Sequence, residues 1–225
     1  MDERSFQKFA GAAAVIVALS SLLYGLVFLF LLPAAQKGAP PDSLTSFAAN
    51  PTPRQILSLL FAVGGVAATA AMIGIYRQVR EGNQGWAFWS AALGLAYGLL
   101  TAVHGIYLLF LNPTLSALYA RNDAAIQAAA VVVGYVPSPL DPSSFSKFLL
   151  SGIWLLVTGT LMLRTSSFAR GLGYLALAAG VGVILLFIGT ATGTLFLVLA
   201  TGVPGSAVIG PLFWLGVGYT LWTKP

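Results

Sequence analysis

Residues 85–111 read GWAFWSAALGLAYGLLTAVHGIYLLFL, an apolar run that holds the chain's only histidine, His104. The 26 residues from Trp86 to Leu111 make a helix of about 39 Å at about 1.5 Å of rise per residue, against a hydrocarbon core of about 30 Å. The stretch is therefore long enough to cross a bilayer and must tilt or protrude. Trp86 and Trp89 at one end and Tyr107 near the other are the amphipathic rings that settle at headgroup level. Ser90, Gly94, Gly98 and Ala102 place a small residue every four positions along one face, which lets a second helix approach closely. A neighbouring stripe carries Tyr97, Thr101 and His104 at helical spacing, so that three polar groups can share one hydrogen-bond network.

The rest of the chain repeats this pattern. Of its 225 residues, 58% are hydrophobic and 8% charged, against about a quarter charged in a soluble domain, so lipid has to cover much of the apolar surface. The formal charge is +5, but the basic residues are scattered between apolar runs. They read as topology signals and contacts to anionic lipid headgroups, and nucleic acid is not expected as a partner. With no cysteine and one histidine, disulfides, thiolate chemistry and a zinc constellation are excluded, and no metal site is expected.

Six spans follow, at about 9–32, 53–76, 86–111, 143–163, 171–200 and 207–222. The first apolar run is too long for the core of a signal peptide. Thr52 suits an N-cap with Pro53 at the first helical position, and the glycine- and alanine-rich middle of the second span predicts tight packing. Between residues 112 and 141 lies the longest non-spanning segment, with Ala124–Tyr135 too short to cross and read as interfacial, re-entrant or bundle-packed. Asp141, in D-P-S-S before an apolar run, reads as a helix cap with Pro142 at the first helical position. Residues 171–202 exceed one span. The turn lies either at TATGT or at V-P-G-S, and Pro204–Gly205, the stronger breaker, favours the latter. Seven basic residues fall on the side of both termini and four on the other, which places both termini in the cytoplasm and predicts a cell inner membrane, multi-pass location.

Chemical machinery is sparse. No Asp or Glu falls inside a proposed span, which counts against proton- or ion-coupled transport, and no hydrolase motif is present. His104 is open to three readings: a structural, neutral imidazole bonded to a neighbouring helix, a polar residue on a solute path, or an axial ligand to haem or chlorophyll. The hydroxyls of Thr69, Ser90, Thr101, Thr158 and Thr160 suit interhelical hydrogen bonds or the lining of a channel.

The Phe9–Ala10–Gly11 start of the first span, the long external loop, Gly152–Ile153–Trp154 with Arg164 at the end of that helix, and Leu172–Leu175 opening the next together resemble a bacterial six-helix membrane family of unknown function. The resemblance implies topology and supplies no functional residues. The fold expected is an all-α polytopic bundle of six transmembrane helices in one transmembrane domain, with Tyr97, Thr101 and His104 as the candidate polar stripe and Ser90, Gly94, Gly98 and Ala102 as the packing face. The leading functional expectation is a non-enzymatic accessory or structural subunit, associated with other membrane subunits or with copies of itself. A channel or transporter for a small, mostly apolar solute and a haem- or pigment-binding subunit are the alternatives.

Overall fold

The computed structural model describes residues 2–31, 51–121, 123–134, 141 and 144–223. In chain order the helices are α1 (Glu3–Leu31), α2 (Thr52–Val79), α3 (Gln84–Tyr119), α4 (Ala124–Gly134), α5 (Phe145–Arg164), α6 (Arg170–Thr192), α7 (Leu195–Pro204), a π-helical turn (Gly205–Ile209) and α8 (Gly210–Thr223). Among the described residues every regular element is helical. Six stretches are long and apolar enough to cross a membrane: α1, α2, α3, Ser146–Arg164, α6 and the composite Leu195–Thr223.

The spans pack as a closed bundle in which α1 touches α2, α2 touches α3, α3 touches α5, α5 touches α6, and α8 returns to α1. Lipid is as apolar as leucine, so packing and not water exclusion must hold these helices together, and the closest approach shows how. A Cβ added to Gly65 of α2 would stand 2.7 Å from the Gly98 carbonyl oxygen and 2.8 Å from the Ala102 Cα. One added to Gly105 of α3 would stand 2.6 Å from the Ser58 carbonyl oxygen. Only glycine permits backbone to meet backbone at these points. In the bundle centre Trp154 of α5, 2% exposed, stacks on Trp214 of α8 at 5.5 Å between ring centroids and meets Phe213 edge-on at 6.2 Å. Gly94 makes room for it, since a Cβ there would lie 2.9 Å from both the Trp154 ring and the Met72 sulfur.

Several boundaries differ from the sequence reading, each for a local reason. The third span, expected at 86–111, continues to Tyr119 with Pro113 inside it. A proline removes one helical hydrogen bond, but the turns beyond it are secured here because α4 folds back on them, with Ala130 packed among Leu111, Leu115, Leu118 and Tyr119. The spans expected at 171–200 and 207–222 are instead 170–192 and 195–223. Gly193 takes φ +67°, the left-handed C-cap that ends α6. Pro204 ends α7 without ending the span, because the backbone runs on through the π-helical turn into α8. Thr52 is the first helical residue and not the cap, Pro51 precedes it, and no side chain caps α2. Asn83, by contrast, caps α3 by accepting from the Trp86 N–H at 3.1 Å.

The two connections on the side of both termini are tied together. The Ser167 hydroxyl donates to the Gln78 carbonyl at 2.9 Å, and Phe168 is buried in the core. At the same end the Arg77 guanidinium lies 4.3 Å from the Phe6 ring centroid, a cation–π contact.

Candidate functional site

The chain brings the buried residues His104, Asp141 and Lys147 together at the other end of the bundle. His104 comes from the middle of α3 and Lys147 from the first turn of α5, and Nζ of Lys147 lies 2.5 Å from Nδ1 of His104. Each residue is only 3% exposed. A bond between an amine and an imidazole needs one donor and one acceptor, so Lys147 as an ammonium donates to an imidazole whose Nδ1 carries no proton and whose single N–H lies at Nε2.

Phe61 of α2 floors the pair. Its ring centroid lies 5.1 Å from the Lys147 Nζ and 5.6 Å from the His104 ring, which supplies a cation–π contact to the ammonium. Tyr24 of α1 packs against Phe61 at 4.6 Å between ring centroids. The Arg54 guanidinium, near the start of α2, is within electrostatic reach of Tyr24, and its Nε is buried without a hydrogen-bond partner. Nearby, Asn112 donates to the Ser58 hydroxyl at 3.2 Å, which itself donates to the Arg54 carbonyl at 2.9 Å.

Asp141 is a buried carboxylate at this end. It is 1% exposed, and its two oxygens accept from the Ser146 N–H at 2.6 Å and the Lys147 N–H at 3.1 Å. It thus satisfies the first free donors of α5, the capping role read from the sequence, although the helix begins four residues later and Ser144 makes the turn at φ 62°. Pro142, read as the first helical residue, lies outside the described residues. Asp141 is also within electrostatic reach of Lys147.

Depth follows from helix geometry. Trp86 anchors the start of α3, and the 18 residues to His104 advance about 27 Å, close to the full hydrocarbon thickness of about 30 Å. The His–Lys pair therefore sits near the membrane boundary opposite the termini, where a charge costs less than at the midplane.

The polar stripe divides. His104 turns to Lys147, whereas the Thr101 hydroxyl donates to the Tyr97 carbonyl of its own helix at 2.8 Å, and Tyr97 packs against the main core. The small face, Ser90, Gly94, Gly98 and Ala102, is buried throughout and lies against α2 and α5. Among the five intramembrane hydroxyls singled out from the sequence, Ser90 and Thr158 bond each other across helices at 2.7 Å. Thr69, Thr101 and Thr160 bond back to carbonyls one turn earlier.

Sequence reasoning missed Lys147, Arg54, Phe61 and Tyr24 as site members. A signal existed for the first of them. A lysine in the first turn of a helix opposes the macrodipole, so its placement there asks for a partner elsewhere. No group of three or more metal-ligating side chains forms among the described residues.

A family profile described as a domain of unknown function, DUF4386, matches residues 9–222. The chain belongs to the DUF4386 family. That match spans nearly the whole chain and, with the six apolar helices, bears out the resemblance to a six-helix membrane family of unknown function. No curated protein and no solved structure matches this DUF4386 chain.

Proposed function

We propose that this DUF4386 protein is a non-enzymatic binding subunit of a membrane assembly. It holds a small ligand, or a group of a partner, at the His104–Lys147 end of a sealed bundle, with both termini in the cytoplasm of a bacterial-type inner membrane. The observation that carries this reading is the contrast between the two parts of the molecule. The buried ionisable residues His104, Asp141 and Lys147 are gathered at one boundary, while the middle is closed by backbone contact at Gly65 and by the Trp154–Trp214 stack. The hydroxyls a channel would need are spent on helix carbonyls or on each other, so a solute path has little to offer as lining.

With Lys147 at Nδ1 and Phe61 packed beside the ring, His104 has only Nε2 to offer a macrocycle, which disfavours the haem or pigment alternative. Orientation rests on the seven-to-four distribution of basic residues between the two sides.

Reconstitution in liposomes tests the reading. Efflux of small polar and apolar tracers should equal that of protein-free vesicles. Protein-dependent efflux abolished by His104→Ala would overturn it in favour of a facilitator.

A further inference from the structure

The site just described holds more positive charge than its described surroundings neutralise. Lys147 is nearly fully buried, and its side-chain hydrogen bond goes to an uncharged imidazole acceptor. Arg54 has a buried Nε with no partner. Lys147 lies over Phe61, whose ring packs on Tyr24, and Arg54 is within electrostatic reach of Tyr24. Asp141, a buried carboxylate at this end, commits both oxygens to the backbone of α5 and is within electrostatic reach of Lys147, so that it stands as one negative charge against the two cations. Asp123 is exposed and caps α4 through the Ala125 and Ile126 N–H groups. Positive charge in excess of its counter-charge is costly away from water, and an orphaned buried donor asks for a missing partner.

We propose that an anionic group from outside the chain, a carboxylate or a phosphate, completes the site formed by Lys147, Arg54 and the Tyr24–Phe61 pair. This rests on the binding reading above and names the chemical class of the ligand. An ammonium with three donors and a guanidinium with a free Nε–H together match the several acceptor oxygens of such a group. The group is supplied either by a soluble anion or by the headgroup of an anionic lipid, since the site lies near the membrane boundary.

His104 provides the readout. As the sole histidine, it gives one pair of imidazole ¹⁵N resonances, and it sits against Lys147. The full-length protein in phosphatidylcholine nanodiscs is titrated with inorganic phosphate and separately with acetate, and is also compared with protein in phosphatidylglycerol nanodiscs. A saturable shift with phosphate or acetate assigns a soluble anion. A shift only in phosphatidylglycerol assigns a lipid headgroup. In either case binding weakens by roughly tenfold or more in Lys147→Met, weakens less in Arg54→Gln and survives in Lys147→Arg, as expected for loss of a charge-assisted bond.

The absence of any saturable shift in all three arms, or an unchanged one in a folded Lys147→Met protein, overturns the proposal. So does an Asp42→Asn variant that, without added anion, moves the His104 resonances as far as Lys147→Met does. That carboxylate lies outside the described residues, and such a result would assign the counter-charge to the chain itself. A negative titration beside a stoichiometric neutral species on the native protein would sink the anion and leave the binding reading intact.

Discussion

Replacing Gly65 by alanine tests whether backbone contact between α2 and α3 holds the bundle. The added methyl would lie 2.7 Å from the Gly98 carbonyl oxygen and 2.8 Å from the Ala102 Cα, with the Ala102 nitrogen closer still. All three neighbours are backbone atoms, so no rotamer change relieves the clash. To restore ordinary separations the helices must move apart locally by about 1 Å, which loosens close-packed neighbours along the interface. Overpacking of this kind costs about 1–3 kcal/mol, and each Cα–H···O hydrogen bond broken by the movement adds about 0.5–1 kcal/mol. Alanine's better helix propensity returns up to about 1 kcal/mol, so a net destabilisation of about 1–3 kcal/mol is expected. Reversible unfolding in mixed micelles, followed by circular dichroism, measures it. Gly182 of α6 is the matched control, since a Cβ there meets nothing within 4 Å, and Gly182→Ala should be neutral or slightly stabilising. Equal stabilities for Gly65→Ala and Gly182→Ala would refute the reasoning.

The His104–Lys147 pair should respond asymmetrically. Lys147→Met replaces a buried cation by an apolar chain of similar length and should cost under about 1.5 kcal/mol, whereas His104→Ala strands the ammonium and should cost about 3 kcal/mol or more, with the double variant close to Lys147→Met alone. The same unfolding assay reads all three. Gly193→Ala forces a Cβ into the left-handed turn between α6 and α7 and should cost about 1–2 kcal/mol, while Pro204→Ala leaves the 195–223 span helical, as amide hydrogen exchange would show. At the N-terminus, the Ser5 N–H donates to the Asp2 carboxylate at 2.6 Å, and the Ser5 side chain first, then this backbone bond, hold the Asp2 pKa below the ordinary 3.8. A depressed folded-state value means that this cap supports α1 above pH 3.8 and is lost as the pH falls through the lower, folded value. Faster exchange of the Ser5 amide in acid is the expected sign.

Membrane class, span number and the small face of α3 were legible in the sequence because length, hydropathy and four-residue spacing act locally. Ser90, Gly94, Gly98 and Ala102 announce a helix contact whatever the partner helix is. The join between α6 and the last span was not legible, since Pro204–Gly205 is the stronger breaker by composition. The span continues past it through a π-helical turn, a property of the folded backbone. The candidate site was half legible. His104 stood out as the one ionisable group well inside a span. Lys147 is 43 residues away and resembled a topological charge at a helix start, because nothing in linear order says that α5 packs its first turn against the middle of α3. Asp141 was readable as a cap for the opposite reason, since capping is settled within one turn.

The most direct test of the account is native mass spectrometry on the intact protein released in mild detergent from its own host's membranes, beside the Lys147→Met variant. The account predicts a stoichiometric bound species on the native protein, a small molecule, a lipid or a partner subunit, that is depleted in the variant while the bundle stays folded. A native protein that arrives bare, or one whose bound species are identical in the folded variant, would contradict it.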